Sequence, residues 1–159
     1  MAFASDASNL VATDTNVAKD IFVHDRLSRA TRRVSVATDG AQANANCLDP
    51  AISTDGRFVA FASYASNLVD GDTNLAVDVF VHDLLKKETQ RVSLASDGTP
   101  GDGDSSSPAI SADGRYVAFT SWANNLVSDD TNHQMDVFVH DRETGQTAQI
   151  GRASCRERV

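Results

Sequence analysis

The side chains with the most chemical potential are oxygen donors in a loop that occurs three times. Asp14, Asn16 and Asp20 return as Asp72, Asn74 and Asp78, and again as Asp130, Asn132 and Asp136. Carboxylates and amide carbonyls at the first, third and seventh places suit a hard cation such as Ca²⁺, which takes about six to eight oxygen ligands. These nine residues are therefore candidate metal ligands, and calcium is the one cofactor the sequence suggests. The pattern is not an EF-hand, because the glycine at place six and the glutamate at place twelve are absent. Asp70 adds a carboxylate in the second copy, where Ala12 and Ser128 stand in the others. The same residue types also build Asx-turns, in which Asp or Asn caps its own backbone without a metal.

Other reactive side chains give weaker patterns. His24, His82 and His140 recur beside Asp25, Asp83 and Asp141. On a strand adjacent residues point to opposite faces, so these pairs form no His-Asp relay. A repeated packing or hydrogen-bonding role suits the histidines better than metal ligation or base catalysis. His133 has no copies and reads as a loop residue. Arg57 and Arg115 follow turns and can pair with nearby acids. The serines of 104–107 lack a nucleophile-elbow context. Cys47 and Cys155 share no metal-ligand spacing and call for no disulfide. No Walker loop, dinucleotide fingerprint or zinc cluster is present, and no catalytic residue is assigned.

The elements that position these groups follow from one repeat. Ala2-Phe3-Ala4-Ser5 returns as Ala60-Phe61-Ala62-Ser63 and as Ala118-Phe119-Thr120-Ser121. Asp20-Ile21-Phe22-Val23-His24-Asp25 returns as Asp78 to Asp83 and as Asp136 to Asp141. The period is 58 residues without insertion or deletion, which signals a modular architecture. Each unit predicts four short antiparallel strands. In the second, Pro50–Ser53 forms the first, and Asp55-Gly56 makes a tight turn into Arg57–Ser63. Asp78–Asp83 forms the third strand, apolar on both faces as a doubly covered sheet requires. Gln90–Leu94 forms the outer strand. No segment shows a helical apolar period. The expected fold is all-β: β-propeller blades in an incomplete ring, each blade burying its faces against its neighbours. Residues 1–49 read as a first blade lacking its first strand, 50–107 as a second, and 108–149 as an incomplete third.

The segments Pro50-Ala51-Ile52-Ser53-Thr54-Asp55-Gly56-Arg57-Phe58-Val59-Ala60-Phe61 and Pro108-Ala109-Ile110-Ser111-Ala112-Asp113-Gly114-Arg115-Tyr116-Val117-Ala118-Phe119 resemble the TolB-type propeller repeat. In that family a proline and an inner strand precede a Ser-x-Asp-Gly turn. The Asp-Thr-Asn loop is longer than the matching hairpin of TolB itself. The resemblance implies a periplasmic or extracellular bacterial setting. It is also compatible with the propeller of a secreted peptidase or other hydrolase whose catalytic domain lies elsewhere.

Composition narrows the function. The 159 residues carry a formal net charge of -8, which argues against a nucleic-acid partner, since phosphate binding needs clustered Lys and Arg. No stretch approaches the roughly 18 apolar residues of a membrane span, and Met1–Asn9 shows no signal peptide. Residues 150–159 break the repeat and resemble a translated sequencing-library adapter at every position, so they read as a non-native tail. The expected role is a non-catalytic binding or scaffold propeller, calcium-stabilised through the Asp/Asn loops, with a protein or polysaccharide partner. A purely structural repeat array is the third reading. Open blade faces predict contact with further blades or self-association.

Overall fold

A computed structural model describes residues 1–151 of the chain. Eleven strands make up the described fold. They are β1 (Ala2–Ser5), β2 (Asp20–His24), β3 (Thr31–Arg33), β4 (Cys47–Ile52), β5 (Phe58–Ser63), β6 (Asp78–Asp83), β7 (Glu88–Arg91), β8 (Ser105–Ile110), β9 (Tyr116–Ser121), β10 (Asp136–Asp141) and β11 (Gln146–Gly151). They form three antiparallel sheets, ordered β1-β2-β3, β4-β5-β6-β7 and β8-β9-β10-β11. Within each sheet, strands that neighbour in sequence neighbour in space, so each sheet is an antiparallel meander. The sheets stack in a partial, propeller-like arrangement and close no barrel among the described residues.

Sheet two is covered on both sides, and all six residues of β6 are buried. Toward sheet one, Cys47, Val59, Phe61 and Phe80 meet Ile21 and Val34. Toward sheet three, Ala60, Val79, Val81 and Val92 meet Val117, Phe119 and Phe138. Each sheet repeats one aromatic pair across its middle strands: Phe3 and Phe22, Phe61 and Phe80, and Phe119 and Phe138, with ring centroids 5.7, 5.9 and 6.0 Å apart. Val77, Val79 and Val92 of sheet two are 6%, 0% and 1% exposed. Their counterparts in sheet three, Met135, Val137 and Ile150, are 43%, 36% and 63% exposed. The face that a following sheet covers in sheet two is thus open in sheet three.

The inner strand starts earlier than the sequence suggests, at Cys47 and Ser105 rather than at Pro50 and Pro108. Proline has no N–H to give a ladder, and it sits in strands only where the pairing is interrupted. Here the register slips between Leu48 and Ala51 and between Ser106 and Ala109. Asp49 and Ser107, just before the prolines, adopt φ 52°. Each proline therefore lies in a β-bulge within a longer strand. The two bulges touch: the Ser107 N–H donates to Asp49 Oδ2 at 3.4 Å. The outer strand is also shifted, to Glu88–Arg91 instead of Gln90–Leu94. Val92 N–H still bonds Val79 O at 2.8 Å. The chain then turns, and Leu94 bridges Pro100. In sheet three the outer strand reaches Gly151 and pairs it with Val137, two residues into the segment read as foreign; 152–159 lie outside the described residues.

The Ser-x-Asp-Gly turns form as the sequence predicts. Ser53 Oγ donates to Asp55 Oδ1 at 2.5 Å and accepts the Phe58 N–H at 2.9 Å, and Gly56 takes φ 75°. Gly114, at φ 74°, repeats the turn, and a Cβ there would lie 2.1 Å from the Phe58 ring. Glycine at 114 is thus required by both backbone and neighbour.

Cys47 is fully buried between sheets one and two, its Sγ 3.2 Å from Ser63 Oγ. One repeat later Ser105 makes the same contact with Ser121 at 2.9 Å, so the thiol fills a serine position. Burial pushes its pKa up to about 12. In a Cys155→Ser background, Cys47 should resist a disulfide-exchange reagent at about pH 8 in the native chain and react once urea unfolds it. Cys47→Ser should melt within a few degrees of the parent. Fast labelling of Cys47 in native buffer would contradict the closed packing of these two sheets.

Candidate functional site

The carboxylate loops enter the third strand of each sheet, and the register of the fourth strand decides what meets them. Arg91 on β7 pairs across from Phe80 on β6, so its side chain reaches back to the strand entrance at Asp78. There Arg91 Nη1 lies 3.0 Å from Asp72 Oδ1 and 2.8 Å from Asp78 Oδ2. In sheet one Arg33 Nη1 lies 3.1 Å from Asp14 Oδ1 and 3.3 Å from Asp20 Oδ2. All six side chains are at least nine-tenths buried. In both loops a guanidinium nitrogen occupies the place between the paired carboxylates. Burial and then Asp78 push the pKa of Asp72 up, against the pull of Arg91.

The second carboxylate oxygen of each strand-entry Asp is taken by a serine. Ser93 Oγ donates to Asp78 Oδ1, and Ser35 Oγ to Asp20 Oδ1, both at 2.5 Å. Each serine oxygen accepts the following strand N–H, from Val79 and Ile21, at 3.1 Å. The asparagines form Asx-turns. Asn16, Asn74 and Asn132 accept the N–H of Ala18, Ala76 and Gln134 at 3.3, 3.2 and 3.0 Å. Their amide groups also reach outward: Asn16 Nδ2 to Ala43 O at 2.9 Å, and Asn74 Nδ2 to Gly101 O at 3.0 Å. The first two loops are thereby tied to the chain entering the next sheet.

The third loop differs. Gln149 stands where Arg33 and Arg91 stand, and donates from Nε2 to Asp136 Oδ2 at 2.6 Å. Gly151 replaces the serine. Asn132 Nδ2 bonds both oxygens of Asp136 at 3.2 and 3.0 Å. Asp130 is 7% exposed, and neither of its buried carboxylate oxygens has a hydrogen-bond partner. The sequence reading singled out the carboxylates and missed the arginines. The signal was present, since Arg33 and Arg91 recur at the repeat period and only Gln149 breaks it. Asp70, noted as an extra carboxylate, is exposed.

The histidines work in relays between sheets. His82 Nδ1 lies 2.8 Å from Thr89 Oγ1, whose hydroxyl donates to Val36 O of the preceding sheet's chain at 2.5 Å. Because that hydroxyl proton is committed, the ring nitrogen is the donor. His140, Thr147 and Leu94 O repeat the relay at 2.8 and 2.5 Å. His24 contacts Thr31 at 3.0 Å. Burial lowers the pKa of His82 and His140. His133 makes a surface contact with Asn124 at 2.9 Å.

At the tight-turn end, Arg57 pairs with Asp83 and Arg115 with Asp141 through two-pronged contacts of 2.7 and 3.0 Å. The Arg57 guanidinium holds the Asp83 carboxyl down at about 2. Phe58 lies between two guanidinium groups, Arg57 at 4.6 Å and Arg142 at 4.5 Å from its centroid. These groups line a cleft of about 260 Å³ between sheets two and three.

Removing one partner of a buried ion cluster leaves uncompensated charge, so Arg91→Met should cost about 3–5 kcal/mol in urea unfolding. Adding Asp72→Asn to that variant should recover part of the loss, and no recovery would show that packing rather than charge is at stake. The histidines give a separate pH dependence. Held below their ordinary value of 6.5, they bind fewer protons folded than unfolded as pH falls through that value. Stability should therefore drop as pH falls from about 7 to 5.5. His82→Gln with His140→Gln should flatten that slope in thermal melts.

No protein-family model and no curated protein matches this sequence. Among solved structures, the chain is similar to a putative TolB from Agrobacterium tumefaciens, with a TM-score of 0.59 and 15% identity over 96% of this chain and 42% of that one. It is also similar to the β-propeller domain of the Trilobed protease from Pyrococcus furiosus, with a TM-score of 0.54 and 14% identity over 86% of this chain and 35% of that one. The chain spans less than half the length of either protein. At such identities the likeness concerns fold alone. The stacked sheets therefore have a propeller-like fold, distantly related in structure to TolB and to other β-propellers.

Proposed function

We propose that this chain is a portion of a non-catalytic binding or scaffold propeller in a bacterial periplasmic or extracellular protein. One observation carries this reading. The polar groups that repeat with the sheets are consumed in holding them together: histidine through threonine to the preceding sheet, asparagine to the following one, arginine between carboxylates. Groups so engaged position a surface rather than attack a substrate. The resemblance to TolB-type repeats supports the setting. The described residues hold no helix long and apolar enough to cross a membrane.

The presenting surface is the cleft around Phe58, where Arg57, Arg115 and Arg142 alternate with Asp83 and Glu143. Mixed charge around an aromatic ring suits a protein loop or a polysaccharide, whose hydroxyls use donors and acceptors together. The open face at Val137 supports contact with further blades or with a second copy of the chain. The likeness to the propeller domain of a protease favours one alternative, a propeller serving a hydrolase domain elsewhere in a longer protein.

The test is a binding panel on the full chain, using soluble polysaccharides and acidic and basic peptides, read by thermophoresis alongside chromogenic peptidase and esterase substrates. Saturable binding that weakens about tenfold or more in Arg142→Ala, without turnover, is the expected result. Hydrolysis by the purified chain that scales with its concentration would overturn the non-catalytic reading.

A further inference from the structure

We propose that two copies of this chain associate head to tail, the open face of sheet three in each lying on the open face of sheet one in the other, so that six sheets close one ring. The contact between sheets two and three is the template, because both of its halves recur at the ends of the stack. One half is the face that sheet two turns to the sheet after it, with Val77, Val79 and Val92 buried. Its counterpart on sheet three is Met135, Val137 and Ile150, all exposed. The other half is the face that a sheet turns to the one before it. Phe119 and Leu126 are buried there in sheet three, and Phe61 and Leu68 in sheet two. Their counterparts on sheet one, Phe3 and Leu10, are partly exposed.

Polar groups on that sheet-one face indicate what it is built to meet. Asn67 and Asn125 donate from Nδ2 to Gln42 O and Pro100 O at 2.8 and 2.9 Å, and each accepts a backbone N–H from the same connecting chain at 3.0 Å. Asn9 stands at the equivalent place, exposed, and has no such partner among the described residues. Thr89 and Thr147 hold their histidines and donate to Val36 O and Leu94 O. Thr31 holds His24 in the same way at 3.0 Å, yet meets no carbonyl among the described residues. These groups fit the chain that leaves a fourth strand, so the occupant of this face is another sheet of this repeat. Sheet three of a second copy is such a sheet, and its matching face is open. A contact between two different patches is heterologous, and it stops growing only by closing a ring. Two copies of three sheets bring six, inside the range of about 4–8 for closed propellers. The association rests on the fold and is independent of what the cleft around Phe58 binds.

The experiment is sedimentation velocity on the full chain over a dilution series, with circular dichroism to confirm that each variant is folded. One reversible species of twice the chain mass is expected. Ile150→Lys on one face and Leu10→Lys on the other should each raise the association Kd about tenfold or more. Asn9→Lys, at an exposed position, takes the place of Leu10→Lys if that variant does not fold. Mixed together, the two face variants should form a one-to-one pair more readily than either does alone, because one junction then joins two parent faces. The proposal is overturned by a folded parent that stays monomeric, or by growth past two copies. It is overturned equally by a pair that only Ile150→Lys disrupts, which would mean sheet-three faces meeting back to back, or by variants that do not complement each other.

Discussion

Apolar side chains emerge from both faces of every sheet in this chain, and one face cannot be hidden by the other. Val79 and Val81 point one way from β6 and Phe80 the other, and all three are fully buried. At about 1.5–3 kcal/mol for each such side chain, that single strand draws on the order of 5–9 kcal/mol from being covered twice, an upper figure given compact unfolded chains. Stacking is therefore the condition under which any one sheet is stable. Non-directional burial, however, does not fix the angle or slide of one sheet on the next. The polar ties do that, because hydrogen bonds from histidine-threonine pairs and loop asparagines have defined partners and lengths.

The arginine clamps add a constraint of another kind. Buried carboxylates at the entrance of the third strand are expensive, and a guanidinium sent back from the fourth strand offsets them. The clamp thus joins two strands through charge and commits the fourth strand to one register, since a slip of one residue would turn the arginine to the other face. In sheet three Gln149 stands at the arginine's place on the fourth strand, and the register there slips between Val137 and Phe138.

Much of the fold was legible in the residues. The constant spacing of the Ala-Phe and Asp-Val-Phe-Val-His-Asp segments announced repeated sheets, and the Asp-Gly pairs located the tight turns. These features depend on local chemistry and on alternation, both written in the chain. The ends of the inner and outer strands were not legible. Pro50 looked like a strand start, yet the pairing resumes on its far side through a bulge, and whether a partner is available there is a tertiary matter. The site was half legible for the same reason. Carboxylates that are near in sequence were read as one cluster, whereas the arginines that neutralise two of the clusters come from 13 residues beyond the strand-entry acids. The likeness to TolB and to a protease propeller concerns backbone course, and leaves chemistry to be read from the side chains.

The kissing bulges of the inner strands have a consequence for the middle of the stack. β8 packs on β4 and β5, and β4 on β1 and β2, so the inner edges converge. The residues that meet there are an exposed aspartate and an exposed serine, joined by a 3.4 Å bond. A convergence lined with carboxylate and hydroxyl invites water instead of expelling it. Water reaches the stack along this inner edge, whereas the spaces between the sheets are filled by apolar side chains.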